Sequence, residues 1–246
     1  MPSFAENLKD SPGSPQNRLQ NIIGSISLLL LSVAYLTHLG FIPLNIENDE
    51  ARRALVAAEM MISGDYITPT LNGEIYLNKP PLYNWIIALY FKISGGYSMF
   101  ALRLPVIVAT LAMGWIVFHF TKKHLGKTIA FFTAFAFMTN GRTLIYDSFV
   151  GLIDTTFAML VYLSFMLVYV YGEKKKYFHL FMITYLLVAL GFLMKGLPAL
   201  VFQAITLLTW AIWKKKFRVL FHIAHFAGIG LLALILGITT MLIFEE

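Results

Sequence analysis

Runs of about twenty apolar residues, three of them closed by a short knot of lysines, dominate this chain of 246 residues. A run of that length bridges a hydrocarbon core of ~30 Å as a helix. Within lipid, a single segment satisfies its own backbone groups only as a helix. A mean hydropathy of +0.71 with 13% charged residues excludes an ordinary soluble domain. With no cysteine, a disulfide framework, a thiol nucleophile and a thiolate metal site are excluded too. The pattern predicts an all-α polytopic membrane protein with about seven transmembrane helices, over 22–43, 101–120, 128–139, 154–171, 177–194, 197–213 and 219–244. Residues 1–21 read as a disordered cytoplasmic tail and 22–246 as one transmembrane domain. The first apolar run lacks a small-residue cleavage pattern, so it reads as a retained span.

The formal charge of +6 is distributed as a topology signal, not as a nucleic-acid surface, and no nucleic-acid partner is expected. Twelve of the 19 basic residues (Lys9, Arg18, Lys122, Lys123, Lys127, Lys174 to Lys176, Lys214 to Lys216 and Arg218) fall on the side of the N-terminus. Only Glu6, Asp10 and Glu173 of the 13 acidic residues join them. The chain therefore reads as a multi-pass protein of the plasma membrane, the inner membrane in a bacterium, with a cytoplasmic N-terminus. The histidines His119, His124, His179, His222 and His225 fall near that face. His222 and His225 have a spacing able to hold a metal, but no carboxylate accompanies them.

Residues 44–100 then lie outside. Asp49 to Ser63 has apolar residues at helical spacing, with Gly64 where a C-terminal cap belongs. Leu71-Asn72-Gly73-Glu74 reads as a tight turn, and Lys79-Pro80-Pro81 as a stiff segment. The apolar stretch 82–93 is too short to span, so it reads as an interfacial helix with Trp85 and Tyr90 at headgroup depth. Asp49, Lys79, Arg103, Arg142, Asp147, Asp154 and Lys195 all fall at the outer face. Charges at membrane ends are costly unless they pair or line a wet cavity, so their convergence predicts a polar site there.

The ordered motifs Asp49-Glu50-Ala51-Arg52, Glu59-Met60, Gly64-Asp65-Tyr66, Leu71-Asn72-Gly73, Lys79-Pro80-Pro81-Leu82 with Trp85, Ala101-Leu102-Arg103-Leu104-Pro105 and Gly191-Phe192-Leu193-Met194-Lys195-Gly196-Leu197-Pro198 carry a resemblance. They resemble GT-C glycosyltransferases, in the branch of the lipid A aminoarabinose transferases and protein O-mannosyltransferases, over roughly residues 22–213. The resemblance implies transfer of a sugar from a polyprenyl-phosphate donor to a lipid, glycan or protein acceptor on the extracytoplasmic face. Such transfer needs a base for the acceptor proton and cations for the departing phosphate.

The resemblance makes Asp49 the base, with Glu47 and Glu50 as competitors, and Asp154 a second catalytic aspartate near the donor sugar. Asp147, about two helical turns earlier, shares its face or replaces it. Lys79, Lys195 and Arg142 are candidates for the lipid phosphate, and Glu50, Arg52 and Asp147 for other substrate contacts. Each has a plainer reading: helix capping for the aspartates, interfacial snorkelling for the lysines, and pairing with Asp147 for Arg142. Many relatives carry an acidic residue before the lysine, associated with a divalent metal. Here it is Asn78, so no metal site is carried over and metal dependence is left open. Members of that family carry more spans, which implies that this chain is truncated at its C-terminus. The alternative is a non-catalytic membrane protein: a fragment, an accessory subunit or a transporter component.

Overall fold

The computed structural model describes residues 15–37, 49–147 and 150–244. Helix α1 (Pro15–Thr37) starts seven residues before the expected first span. Proline suits a first helical turn, where its missing N–H costs nothing, and that carries the helix back into the polar segment. Helix α2 (Asp49–Ser63) ends as expected at Gly64, whose φ of 77° lets its N–H reach Met60 O at 3.0 Å. A small hairpin follows, β1 (Thr70–Leu71) against β2 (Glu74–Ile75), with Thr70 opposite Ile75. Asn72 and Gly73, at φ 56° and 80°, make its two-residue turn.

Helix α3 (Leu82–Ser94) has the length expected of the non-spanning stretch, and it is built into the core. Tyr83, Asn84, Ile87, Ala88 and Phe91 are buried against α2 and against α4 (Met99–Leu125). The remaining helices are α5 (Lys127–Thr139), α6 (Ile153–Glu173), α7 (Tyr177–Lys195), α8 (Pro198–Lys214) and α9 (Ile223–Phe244). A π-helical turn over Arg142–Asp147 precedes α6, and a 3-10 turn over Phe217–Phe221 precedes α9. The last expected span therefore begins at Ile223, because the chain first turns at His222, whose Nδ1 accepts the Ala224 N–H at 3.1 Å.

Among the described residues four helices, α4, α6, α7 and α9, are long and apolar enough to cross a membrane. Residues Ile22–Thr37 of α1, and helices α5 and α8, are apolar but shorter. The 13 residues of α5 rise about 20 Å.

Close seams hold the bundle. A methyl at Gly172 of α6 would sit 2.4 Å from the Trp210 ring of α8, and one at Gly228 of α9 would sit 2.4 Å from the Tyr185 ring of α7. Gly172 makes room for the Trp210 ring, and Gly228 also lets α9 approach the α7 backbone, since a methyl there would stand 3.1 Å from Phe181 O. A buried polar chain adds to this: Ser164 Oγ donates to Gln203 Oε1 at 2.8 Å, and Gln203 Nε2 donates to Thr184 Oγ1 at 3.0 Å.

The lysine-rich turns meet at one end, where Lys214 pairs with Glu173 at 3.1 Å and Tyr169 stacks on Trp213. Two of these turns are alike. Lys175 and Lys215 take left-handed φ values of 53° and 52°. The next lysine in each case donates back to the helix, Lys176 to Tyr171 O and Lys216 to Ala211 O, both at 2.9 Å. The opposite end of the bundle carries α2, the hairpin, α3 and the start of α6.

Candidate active site

Asp49 opens α2 and is half-buried, with Arg52 Nη1 at 3.3 Å from Oδ1 and Arg53 Nη2 at 3.8 Å from Oδ2. Arg52 lies on the exposed face. Arg53, one turn on from Asp49, is 3% exposed and points inward to Asn84 Oδ1 at 3.4 Å. Arg53 Nη2 and Asn84 Nδ2 are buried without a hydrogen-bond acceptor among the described residues. Two donors next to the aspartate are thus left to be satisfied.

Glu50 takes the opposite course. It is 2% exposed, and Arg103 of α4 forks onto it with Nε to Oε1 at 2.7 Å and Nη2 to Oε2 at 3.1 Å. The Gly151 N–H donates to the same Oε1 at 2.7 Å. A carboxylate so engaged presents no oxygen to solvent. Its geometry is that of an anchor: three donors hold it inside the protein, at a residue from which the sequence predicts a substrate contact.

The Gly151–Leu152 segment leads into α6, where Asp154 stands in the first turn and pairs with Lys195 Nζ from the last turn of α7. Lys195 also lies over the Phe157 ring, 5.3 Å from its centroid. Tyr83 of α3 is fully buried, and its hydroxyl donates to Leu152 O at 3.2 Å and lies 3.4 Å from Gly151 O. Burial pushes this phenol well above its ordinary range. The Arg53 charge pulls it down, and Glu50 and Asp154 push it up. Tyr83 therefore feels the charged groups of both clusters and stays a neutral donor at physiological pH.

Lys79 is half-buried on the strap between β2 and α3, with no hydrogen-bond or ion-pair partner among the described residues. Its strap is fixed from two sides. Trp85 Nε1 donates to Tyr66 O at 2.5 Å. Glu59 of α2 accepts from Thr70 Oγ1 at 2.6 Å and from the Asn72 and Gly73 N–H groups at 2.7 and 3.3 Å. The Thr70 hydroxyl, with those two backbone donors, holds the Glu59 carboxyl below its ordinary value despite some desolvation.

Arg142 is exposed at the start of the π-helical turn, and Asp147 closes that turn with its side chain outside the described residues. Glu47 also lies outside them. Asn78 is exposed, and among the described residues no three His, Cys, Asp or Glu side chains gather to hold a metal ion. Beside Lys79 the chain offers the amide oxygen of Asn78, a weaker metal ligand than a carboxylate.

Asp49 with Arg52, and Asp154 with Lys195, are thus brought together as pairs, and Glu50 ties one pair to the other. Sequence reasoning passed over Arg53, Tyr83, Asn84 and Gly151. A signal existed for two of them: Arg53 falls one helical turn after Asp49, and Asn84 interrupts an apolar run.

Residues 78–243 match the family model described as dolichyl-phosphate-mannose-protein mannosyltransferase. The undecaprenyl phosphate-alpha-4-amino-4-deoxy-L-arabinose arabinosyl transferase 1 of Proteus mirabilis is 30% identical over 205 residues, covering 79% of this chain and 36% of that protein. An uncharacterized protein of Aquifex aeolicus is 27% identical over 210 residues, covering 85% of this chain and 41% of its own. The crystal structures of ArnT from Cupriavidus metallidurans, apo and bound to undecaprenyl phosphate, superpose with a TM-score of 0.76 at 19% identity. They cover 89% of this chain and 41% of ArnT. The chain thus spans about two fifths of the length of these relatives. Family model, relatives and fold agree, and the chain belongs to the dolichyl-phosphate-mannose-protein mannosyltransferase family, as an ArnT-like GT-C glycosyltransferase N-terminal region.

Proposed function

We propose that this chain supplies the catalytic end of a membrane glycosyltransferase that moves a sugar from a polyprenyl-phosphate donor to an acceptor hydroxyl on the extracytoplasmic face. The observation that carries the reading is the pairing at one end of the bundle. A half-exposed carboxylate, Asp49, sits beside cations, and Lys79, on the strap before α3, has no counter-ion among the described residues. Seven spans are proposed, the four long apolar helices and the three shorter ones. The lysine-rich turns would face the cytoplasm and the aspartate end the outside.

In this mechanism Asp49 accepts the proton of the acceptor hydroxyl as its oxygen bonds to the anomeric carbon. The bond from that carbon to the phosphate oxygen breaks, and both its electrons leave with the polyprenyl phosphate. Lys79 and Lys195 stabilise the charge gained there, and Arg142 adds a third cation. Asp154 orients Lys195 and faces the sugar. One displacement inverts the anomeric carbon. The donor to try first is the one named by the relatives, undecaprenyl phosphate carrying 4-amino-4-deoxy-L-arabinose, followed by other polyprenyl-phosphate sugars.

The test is transfer of radiolabel in membranes carrying the wild-type chain or Asp49→Asn. A general base is worth about 10²- to 10⁴-fold, so transfer by the wild type should fall by at least that lower figure in the variant. If folded wild-type protein gives no product with any donor, the chain is not a self-standing catalyst. The non-catalytic membrane protein then becomes the better reading.

A further inference from the structure

We infer that Glu50 is a positioning residue: its buried carboxylate sets the spacing between the Asp49 and Asp154 elements by holding the Gly151 N–H against α2. Three donors converge on it, two from Arg103 and one from Gly151, at 2.7 to 3.1 Å. Asp49 is its immediate neighbour in sequence, and Asp154 lies three residues beyond Gly151. The far side of the same peptide segment is held by the Tyr83 hydroxyl at Leu152 O. Gly151 must be small, since a methyl there would stand 3.0 Å from Glu50 Oε1 and 3.2 Å from Leu102 O.

An ion pair that served stability alone would need only Glu50 and Arg103. Apolar replacements of such a pair are often tolerated. The bond to Gly151 is different, because it requires an acceptor oxygen at that point and links α2 to the segment leading into α6, 101 positions along the chain. The two roles can therefore be separated. E50Q/R103M removes both charges and keeps an oxygen for Gly151, whereas E50M/R103M removes the oxygen as well. The consequence for catalysis rests on the proposed glycosyl transfer, but the consequence for geometry does not.

Because the chain has no cysteine, two nitroxides can be placed at Ile62→Cys on α2 and Phe165→Cys on α6, positions that are 76% and 47% exposed. Electron–electron distance measurements in detergent, with thermal unfolding to confirm folding, then read the spacing. The parent and E50Q/R103M should share one narrow distribution, and E50M/R103M should broaden it. Misplacement of a reacting group by about 1 Å costs up to ~10²-fold, so kcat should fall about tenfold or more in E50M/R103M with donor KM little changed. E50Q/R103M should keep most of the parental kcat.

Gly151→Ala leaves both charges in place and crowds Oε1. It should broaden the distribution too, and it serves where the double substitution yields no folded protein. Narrow distributions in both E50M/R103M and Gly151→Ala would overturn the inference, whatever the activity. Broadening without transfer by any variant, parent included, would support the positioning role and count against the glycosyltransferase reading alone.

Discussion

Lys195→Met separates a structural role from a chemical one at the Asp154–Lys195 pair. The Lys195 side chain is 27% exposed and that of Asp154 41%, so solvent screens their attraction, and the pair is worth about 1 kcal/mol or less to folding. The ammonium also lies 5.3 Å above Phe157, a contact worth about 0.5–1 kcal/mol at a wet site. Methionine keeps the unbranched stem, and its sulfur makes its own favourable contact with the ring. The stability loss should therefore stay near 1 kcal/mol. Transfer should respond far more, because a cation aimed at a developing phosphate charge is worth about 10²- to 10³-fold in kcat. The assay pairs thermal unfolding in detergent with transfer kinetics on a polyprenyl-phosphate sugar. A variant that loses several kcal/mol of stability yet transfers at the wild-type rate would refute this assignment and make the pair a structural tie.

Three further outcomes follow from the geometry. Gly228→Ala drives a methyl into Tyr185, whose hydroxyl is held 2.6 Å from His225 Nε2. It should cost about 1–3 kcal/mol by thermal unfolding, while Gly230→Ala, with nothing within 4 Å, should be neutral or better. Glu59 has a lowered pKa, so the stability it contributes is present above its ordinary value of 4.5 and is lost as pH falls through the lower folded value. Hydrogen exchange at Asn72 and Gly73, corrected for intrinsic rates, should show protection at neutral pH that disappears in acid and is absent in Glu59→Ala. Gln203→Leu should cost about 1 kcal/mol or less, since Thr184 Oγ1 keeps its bond to Leu180 O at 2.7 Å.

The helices and the hairpin turn were legible because they are encoded locally. Asn72-Gly73 states its own turn type, Gly64 its own cap, and each apolar run its own helix. The charged residues of the site were legible as types and positions, but their partners were not. Glu50 and Arg103 are 53 residues apart, and Asp154 and Lys195 are 41 apart. Nothing in either neighbourhood says which charge faces inward. Asp49 and Glu50 are adjacent in a helix, about 100° apart around it, and so end on different sides of the same wall. The buried role of α3 was hidden for a related reason. Its length says only that it does not span, whereas Asn84 and Tyr83 acquire their meaning from Arg53 and Gly151 across the packing interface.

The two lysine turns have a consequence for how the chain reaches its final arrangement. Glycine at Lys175 or Lys215 would relieve a left-handed backbone that costs an L-residue about 1–2 kcal/mol. It would also delete a positive charge from a short loop, the kind of charge that decides which way a nascent helix pair is threaded. The protein holds a less comfortable turn and keeps the charge in both places. In the proposed orientation these charges mark the cytoplasmic side, so a variant with glycine at both positions should end its helices more easily and be less decided about which side of the bilayer they end on.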